Sequence, residues 1–234
     1  MCENVSLYEA RAFLEQNESR GFRCTFVPHD SDLKECHNQI HGKLIALELP
    51  NHTHETVTSC LMWQMISHLR SRSGRKASVD FKPSPTIQIE DTLKEPDLTM
   101  CPIGRNNQAQ LPTVVFETGY LHESLQKLDT ILGQWTRIAQ LAVGIKIYKE
   151  RNDEFQMQVV VHRKEATQNP DKIIAFGTDV TVQGLTLEIS LADIYLGSEN
   201  CQNDAIKQAI ARKECLAIDL SELQERLIEV VLPF

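Results

Sequence analysis

Apolar positions along the chain follow two spacings, and the switches between them mark the elements. Behind Ser6-Leu7-Tyr8-Glu9, a capping-box pattern, Leu7, Ala10, Phe13 and Leu14 recur at helical spacing and predict a helix from about Leu7 to Asn17. Phe22 to Val27 alternates as a strand and stops at Pro28; Gly42 to Leu49 reads as another, closed by Pro50. Val57, Cys60, Leu61, Met65 and Leu69 form a stripe that predicts a helix over about His54 to Arg70, followed by a basic turn. Thr86 to Ile89 and Asp97 to Met100 read as short strands, and Ile103 to Gln110 as a polar loop. The run Pro112 to Phe116 is an apolar strand ending at Glu117.

The clearest amphipathic helix comes next, over about Tyr120 to Gln140, with Leu121, Leu125, Leu128, Leu132, Trp135 and Ala139 on one face. Val143 to Tyr148 is a strand with Lys146 inside it. Arg151-Asn152-Asp153 then turns the chain into a strand over Phe155 to Arg163. Lys172 to Phe176 and Leu185 to Ile189 read as two further strands, and Asn203 to Val231 as two helices. Neither a repeat nor a shift in composition divides the chain, so residues 1–234 are expected to form one domain.

Composition narrows the function classes. The chain has 234 residues, enough for a sizeable core. Its formal net charge of −8 weighs against tight non-specific nucleic-acid binding, which depends on releasing counterions from phosphates. Nowhere does an apolar run approach the ~20 residues of a membrane helix. The first residues carry acids and no apolar run, unlike a secretory signal. An intracellular protein, cytoplasmic or nuclear, is the expectation. Seven scattered cysteines with no C-x-x-C pair read as reduced thiols. No phosphate-binding loop, nucleophile elbow or dinucleotide fingerprint occurs, so no nucleotide cofactor is expected.

Two carboxylates carry the chemistry. Asp97 follows Pro96 at a strand start, and Glu117 follows a buried strand. A charge at such a place is costly without a partner, and a magnesium ion, which takes one or two protein carboxylates plus water and phosphate, is one such partner. Helix capping by Glu117 and a solvated loop for Asp97 are the plainer alternatives. Cys36, His37, His41, His52 and His54 fit no closed zinc pattern. The basic run Arg70, Arg72, Arg75 and Lys76 is open to phosphate contact or to simple solvation.

Taken in order, these residues resemble the PD-(D/E)XK nuclease superfamily, in particular its Uma-type restriction-endonuclease branch and fungal-like variants. The resemblance rests on Glu95-Pro96-Asp97, on Leu111 to Tyr120, on Asp129 and Trp135, on Gly144 to Ile147, and on Gly184 to Tyr195. It spans roughly residues 50–196, between an N-terminal segment 1–49 and a helical extension 197–234. It implies an α/β (α+β) restriction-endonuclease-like core: a mixed four-stranded central sheet flanked by helices, with an extra C-terminal hairpin and helices. It also implies Asp97 and Glu117 as ligands of Mg (or Mn), with Glu55 as a third. The family lysine would stand at position 119, which here is Gly119. Lys127 and Lys146 are the two candidates to replace it.

Two functions follow from the resemblance. One is a Mg-dependent nuclease hydrolysing DNA phosphodiester bonds. The other is a catalytically inactive nuclease fold that binds protein or nucleic acid. The apolar faces of the last helices (Ile206, Ile210, Leu223, Leu227, Val230) are open to a homodimer interface or to packing on the domain itself.

Overall fold

The apolar run that leads to Glu117 becomes an inner strand of a six-stranded sheet. The structure is a computed structural model. It describes residues 2–6, 9, 22–28, 41–48, 52–73, 79–90, 92–104, 111–120, 123–149, 155–165, 170, 172–177, 185–198 and 202–231. By its internal contacts the chain divides into two compact units, Met1–His52 and Thr53–Phe234.

The first unit is an antiparallel sheet with β3 (His41–Glu48) between β1 (Cys2–Ser6) and β2 (Phe22–Pro28). The strands β2 and β3 match the alternation in the sequence. By contrast, β1 has no apolar alternation of its own and is held by its backbone pairing to β3. Except for Glu9, the helix expected over Leu7 to Asn17 lies outside the described residues, as do Cys36 and His37.

The second unit opens with α1 (His52–Ser73) and β4 (Val79–Pro83). A small hairpin of β5 (Ile87–Ile89) and β6 (Thr92–Lys94) leads to β7 (Leu98–Pro102). Then come β8 (Val114–Tyr120), α2 (Leu125–Trp135) and β9 (Leu141–Lys149), followed by β10 (Phe155–Arg163) and β11 (Lys172–Gly177). The sheet order is β11-β10-β9-β8-β7-β4, and β8–β9 is the parallel pair in an otherwise antiparallel sheet. A parallel pair needs a crossover, and α2 provides it. The part α1-β4-β7-β8-α2-β9 is the mixed four-stranded sheet with flanking helices that the resemblance implies; β10 and β11 widen it to six strands.

Side-chain alternation splits the core into two layers. On one face α1 (Val57, Leu61, Met65, Leu69) packs with Leu98, Met100, Phe116, Val143 and Ile145. On the other, α2 (Leu128, Leu132, Trp135) covers Val115, Ala142 and Val160, with Ile89 of the hairpin. The C-terminal segment adds β12 (Thr186–Ser190), α3 (Leu191–Ile194), α4 (Asp204–Ala211), β13 (Cys215–Asp219) and α5 (Leu220–Val231). The pair β12–β13 is antiparallel but is not a simple hairpin, because α3 and α4 lie between its strands. It is tied to α1 by the Gln64 amide, which donates to Asp219 O at 2.9 Å and accepts from Asp219 N at 2.7 Å. Ile206, Leu223 and Leu227 are buried in the α1-side core, so these apolar faces pack on their own domain. No described helix is long and apolar enough to cross a membrane.

Several boundaries differ from expectation for identifiable reasons. Arg70 and Arg72 sit in the last turn of α1, where cations suit the helix dipole, rather than in a turn. Arg75 and Lys76 lie outside the described residues. The strand β8 runs on to Tyr120 because its pairing with β9 continues to Tyr120↔Ile147, so Glu117 lies within the strand and not at its end. The helix therefore starts only at Leu125, behind Ser124, whose side chain accepts from Lys127 N at 3.1 Å. Between the last two helices β13 is an unexpected strand, burying Leu216 and Ile218 in alternation.

Two glycines under and in α2 should respond oppositely to substitution. A Cβ on Gly144 would lie 2.7 Å from Leu132 Cδ1 and 3.1 Å from Leu128 Cδ2, whereas one on Gly133 meets nothing within 4 Å. Urea denaturation should show Gly144→Ala destabilising by about 2 kcal/mol through overpacking. Gly133→Ala should stabilise by about 0.5–1 kcal/mol through helix propensity. Equal effects would mean that α2 does not sit on β9 in this register.

Candidate active site

Pairing between β7 and β8 places the two acids. Leu98 is opposite Phe116, so one step further Asp97 comes level with Glu117, which alternation along β8 puts on the face covered by α2. Asp97 is fixed from two sides. Its backbone oxygen accepts from Ser84 N at 3.2 Å, and Ser84 is held at φ 43°, in the left-handed region. Its carboxylate Oδ2 accepts from Thr118 N at 2.6 Å. His54 of α1 brings Nδ1 to 4.0 Å from Oδ1.

Glu117 is half-buried, and its Oε1 accepts from Trp135 Nε1 at 2.5 Å. Burial, then the neighbouring Asp97 charge, pushes the Glu117 carboxyl up to about 8, against the pull of the Trp135 hydrogen bond. Burial also raises Asp97, while His54 and the Thr118 hydrogen bonds pull it down. Burial of the two neighbouring carboxyls thus disfavours their charged forms in the absence of a counter-charge.

The parallel pair places Lys146. In the β8–β9 register Gly119 lies beside Lys146. A Cβ on Gly119 would come 3.3 Å from Lys146 Cδ and 3.3 Å from Leu128 Cδ2, so the Lys146 stem fills the space a side chain at 119 would take. Lys146 is 2% exposed. Its ammonium donates to Ile147 O at 3.1 Å and Gly119 O at 3.5 Å, and lies 5.0 Å from the Tyr148 ring centroid. Burial lowers its pKa, with Glu123 acting the other way. Lys127 is 63% exposed and forms an ion pair with Glu123 at 2.8 Å. Lys146 thus lies on the sheet face that bears Glu117, and Lys127 meets Glu123 just before α2.

Other expected residues are placed elsewhere. Glu55 is exposed in the first turn of α1, and its neighbour His54 is the residue that approaches Asp97. Arg70 lies sixteen residues beyond His54, about 24 Å along the helix at 1.5 Å per residue. Arg72 pairs with Glu214. Three residues of the site were not legible as such. Glu123, whose Oε2 lies 3.5 Å from a Gly119 Cβ, sat in a polar stretch before a helix. His54 was grouped with other histidines. Trp135 read as core, although a buried indole N–H calls for an acceptor, and that was the available signal.

Among the described residues no three His, Cys, Asp or Glu side chains are grouped so as to hold a metal ion. What Asp97 and Glu117 could offer an ion is a pair of carboxylates. That suits a hydrated Mg or Mn ion completed by water and phosphate, and does not suit a closed protein cage.

No family model matches the chain, and no curated protein matches it. Among solved structures it is similar to one described as "a putative nuclease belonging to DUF820" from Anabaena variabilis ATCC 29413. The identity is 14% and the TM-score 0.40, over 72% of this chain and 86% of that one.

Proposed function

We propose that this chain is a metal-assisted phosphodiesterase of the PD-(D/E)XK kind, acting on DNA. The observation that carries the reading is the β8–β9 register: it sets Lys146 beside Gly119, on the sheet face that bears Glu117. On this reading Lys146, one strand over, would take the part of the lysine that the resemblance puts at position 119. Asp97 and Glu117 would hold Mg or Mn. The bound ion would supply Lewis acidity toward the phosphate and a water that deprotonates near neutral pH. Lys146, held by backbone carbonyls, puts a positive charge where phosphate oxygens or an attacking water can use it. Its lowered pKa brings it nearer to proton-transfer work at neutral pH.

The test is cleavage of single- and double-stranded DNA by the purified chain with Mg or Mn. Asp97→Ala and Glu117→Ala should each lower the rate by at least about a hundredfold, the scale of losing one transition-state contact. Lys127→Ala should leave it nearly unchanged. Cleavage that survives both acid substitutions overturns the mechanism.

A second reading, a catalytically silent fold that binds a partner, is favoured by the net charge of −8 and by the pairing of exposed Lys127 with Glu123. Calorimetric titration with Mn separates the two: a folded chain that takes up no Mn at millimolar concentration supports the silent form.

A further inference from the structure

We infer that Trp135 is a positioning residue for Glu117: its indole N–H holds one carboxylate oxygen and so sets the direction in which the other can be offered to a cation. This rests on the metal-site reading of Asp97 and Glu117.

Trp135 is 1% exposed, the largest side chain buried beneath α2. A buried indole N–H without an acceptor is costly, and the acceptor here is Glu117 Oε1 at 2.5 Å. The dependence runs the other way as well. Glu117 sits in the middle of β8, flanked by the buried residues Phe116 and Thr118, with the Trp135 indole and the Asp97 backbone N–H as hydrogen-bond donors to its carboxyl. Trp135 itself cannot move easily: the same layer contains Leu128, Leu132, Ala139 and Ile89. Asp97 shows the same device in another form, with one oxygen taken by the Thr118 N–H at 2.6 Å. Each acid of the pair is thereby held by donors on rigid elements. That arrangement is how partners around a metal site orient its ligands.

A purely structural tryptophan would stabilise α2 without affecting the cation, so the test reads both. The chain has two tryptophans, so Trp63→Phe leaves Trp135 as the sole indole. In that background the single 15N indole resonance should lie downfield. It should move upfield in Glu117→Ala and stay near its place in Glu117→Gln, whose amide oxygen still accepts. Mn calorimetry then compares the parent with Trp135→Phe, which keeps a ring but loses the donor, and with Ile131→Ala, which loosens the same helix. Affinity should fall about tenfold or more in Trp135→Phe and stay within about twofold in Ile131→Ala, as loss of a ligand-orienting partner requires.

An indole resonance indifferent to Glu117→Ala overturns the contact. Equal Mn affinities for parent and a folded Trp135→Phe overturn the positioning role. If the resonance responds to Glu117→Ala but the parent takes up no Mn, the metal reading itself has failed, and the role toward a cation goes with it while the hydrogen bond stands.

Discussion

Glu117→Gln is expected to stabilise the metal-free protein at pH 8 by on the order of 2–3 kcal/mol. The carboxyl is raised from 4.5 to about 8 by burial and by the Asp97 charge. Between those values the folded chain keeps a proton that the unfolded chain has released, so stability falls as pH rises through the window. Each tenfold in proton affinity is about 1.4 kcal/mol, and partial solvent access brings the full shift down to the figure given. Glutamine resembles the protonated acid and can still accept from Trp135. The variant should therefore match the parent at pH 4–5 and part from it as pH rises, a divergence that urea melts at several pH values will show. Added Mn should stabilise the parent near pH 8 and leave Glu117→Gln unmoved, since a ligand that binds only the folded state stabilises it by mass action. Superimposable pH profiles for the two proteins would mean that Glu117 is not the strained group described here.

Lys146→Met should raise stability by about 1–3 kcal/mol while abolishing any nuclease activity. An ammonium at 2% exposure, bonded to carbonyl oxygens and facing an aromatic ring, has lost most of its hydration. Methionine fills a similar volume without that cost, and replacing buried charges by apolar side chains is often stabilising on this scale. The pH signature has the opposite sense to that of Glu117. Because burial lowers the Lys146 pKa, the penalty is full below that lowered pKa and is relieved as pH climbs from it toward the ordinary lysine value of 10.5. The methionine variant should lack that rise. A protein destabilised by Lys146→Met would point instead to a lysine kept for structure. Together the two substitutions ask whether the groups least favourable to the fold are the ones its chemistry requires.

How far the sequence could be read depended on whether neighbours along the chain or across it set the outcome. Where the apolar stripe was long, as in α1 and α2, the helices were legible, and the two strands of alternating residues at Phe22 and Gly42 were as well. Short strands such as β4, β6 and β13 were not. Although β5, β7 and β12 are just as short and did read as strands, the state of these others comes from a partner strand: β13 is a strand because Leu216 and Ile218 pair with Ile189 and Leu187. The start of α2 was placed too early for the same kind of reason, since pairing to β9 keeps Gly119 and Tyr120 extended.

By itself the sequence determined the acids, their order, and the absence of lysine at position 119. Its helical and strand spacings also placed α2 between β8 and β9, hence the crossover. Only the tertiary structure placed Lys146 beside Gly119, because that depends on the register of two strands more than twenty residues apart. It likewise brought His54, Glu123 and Trp135 to the acids and left Glu55 exposed. Side chains meet across sheets and under helices according to packing, and spacing along one chain carries no record of which residues packing will bring face to face.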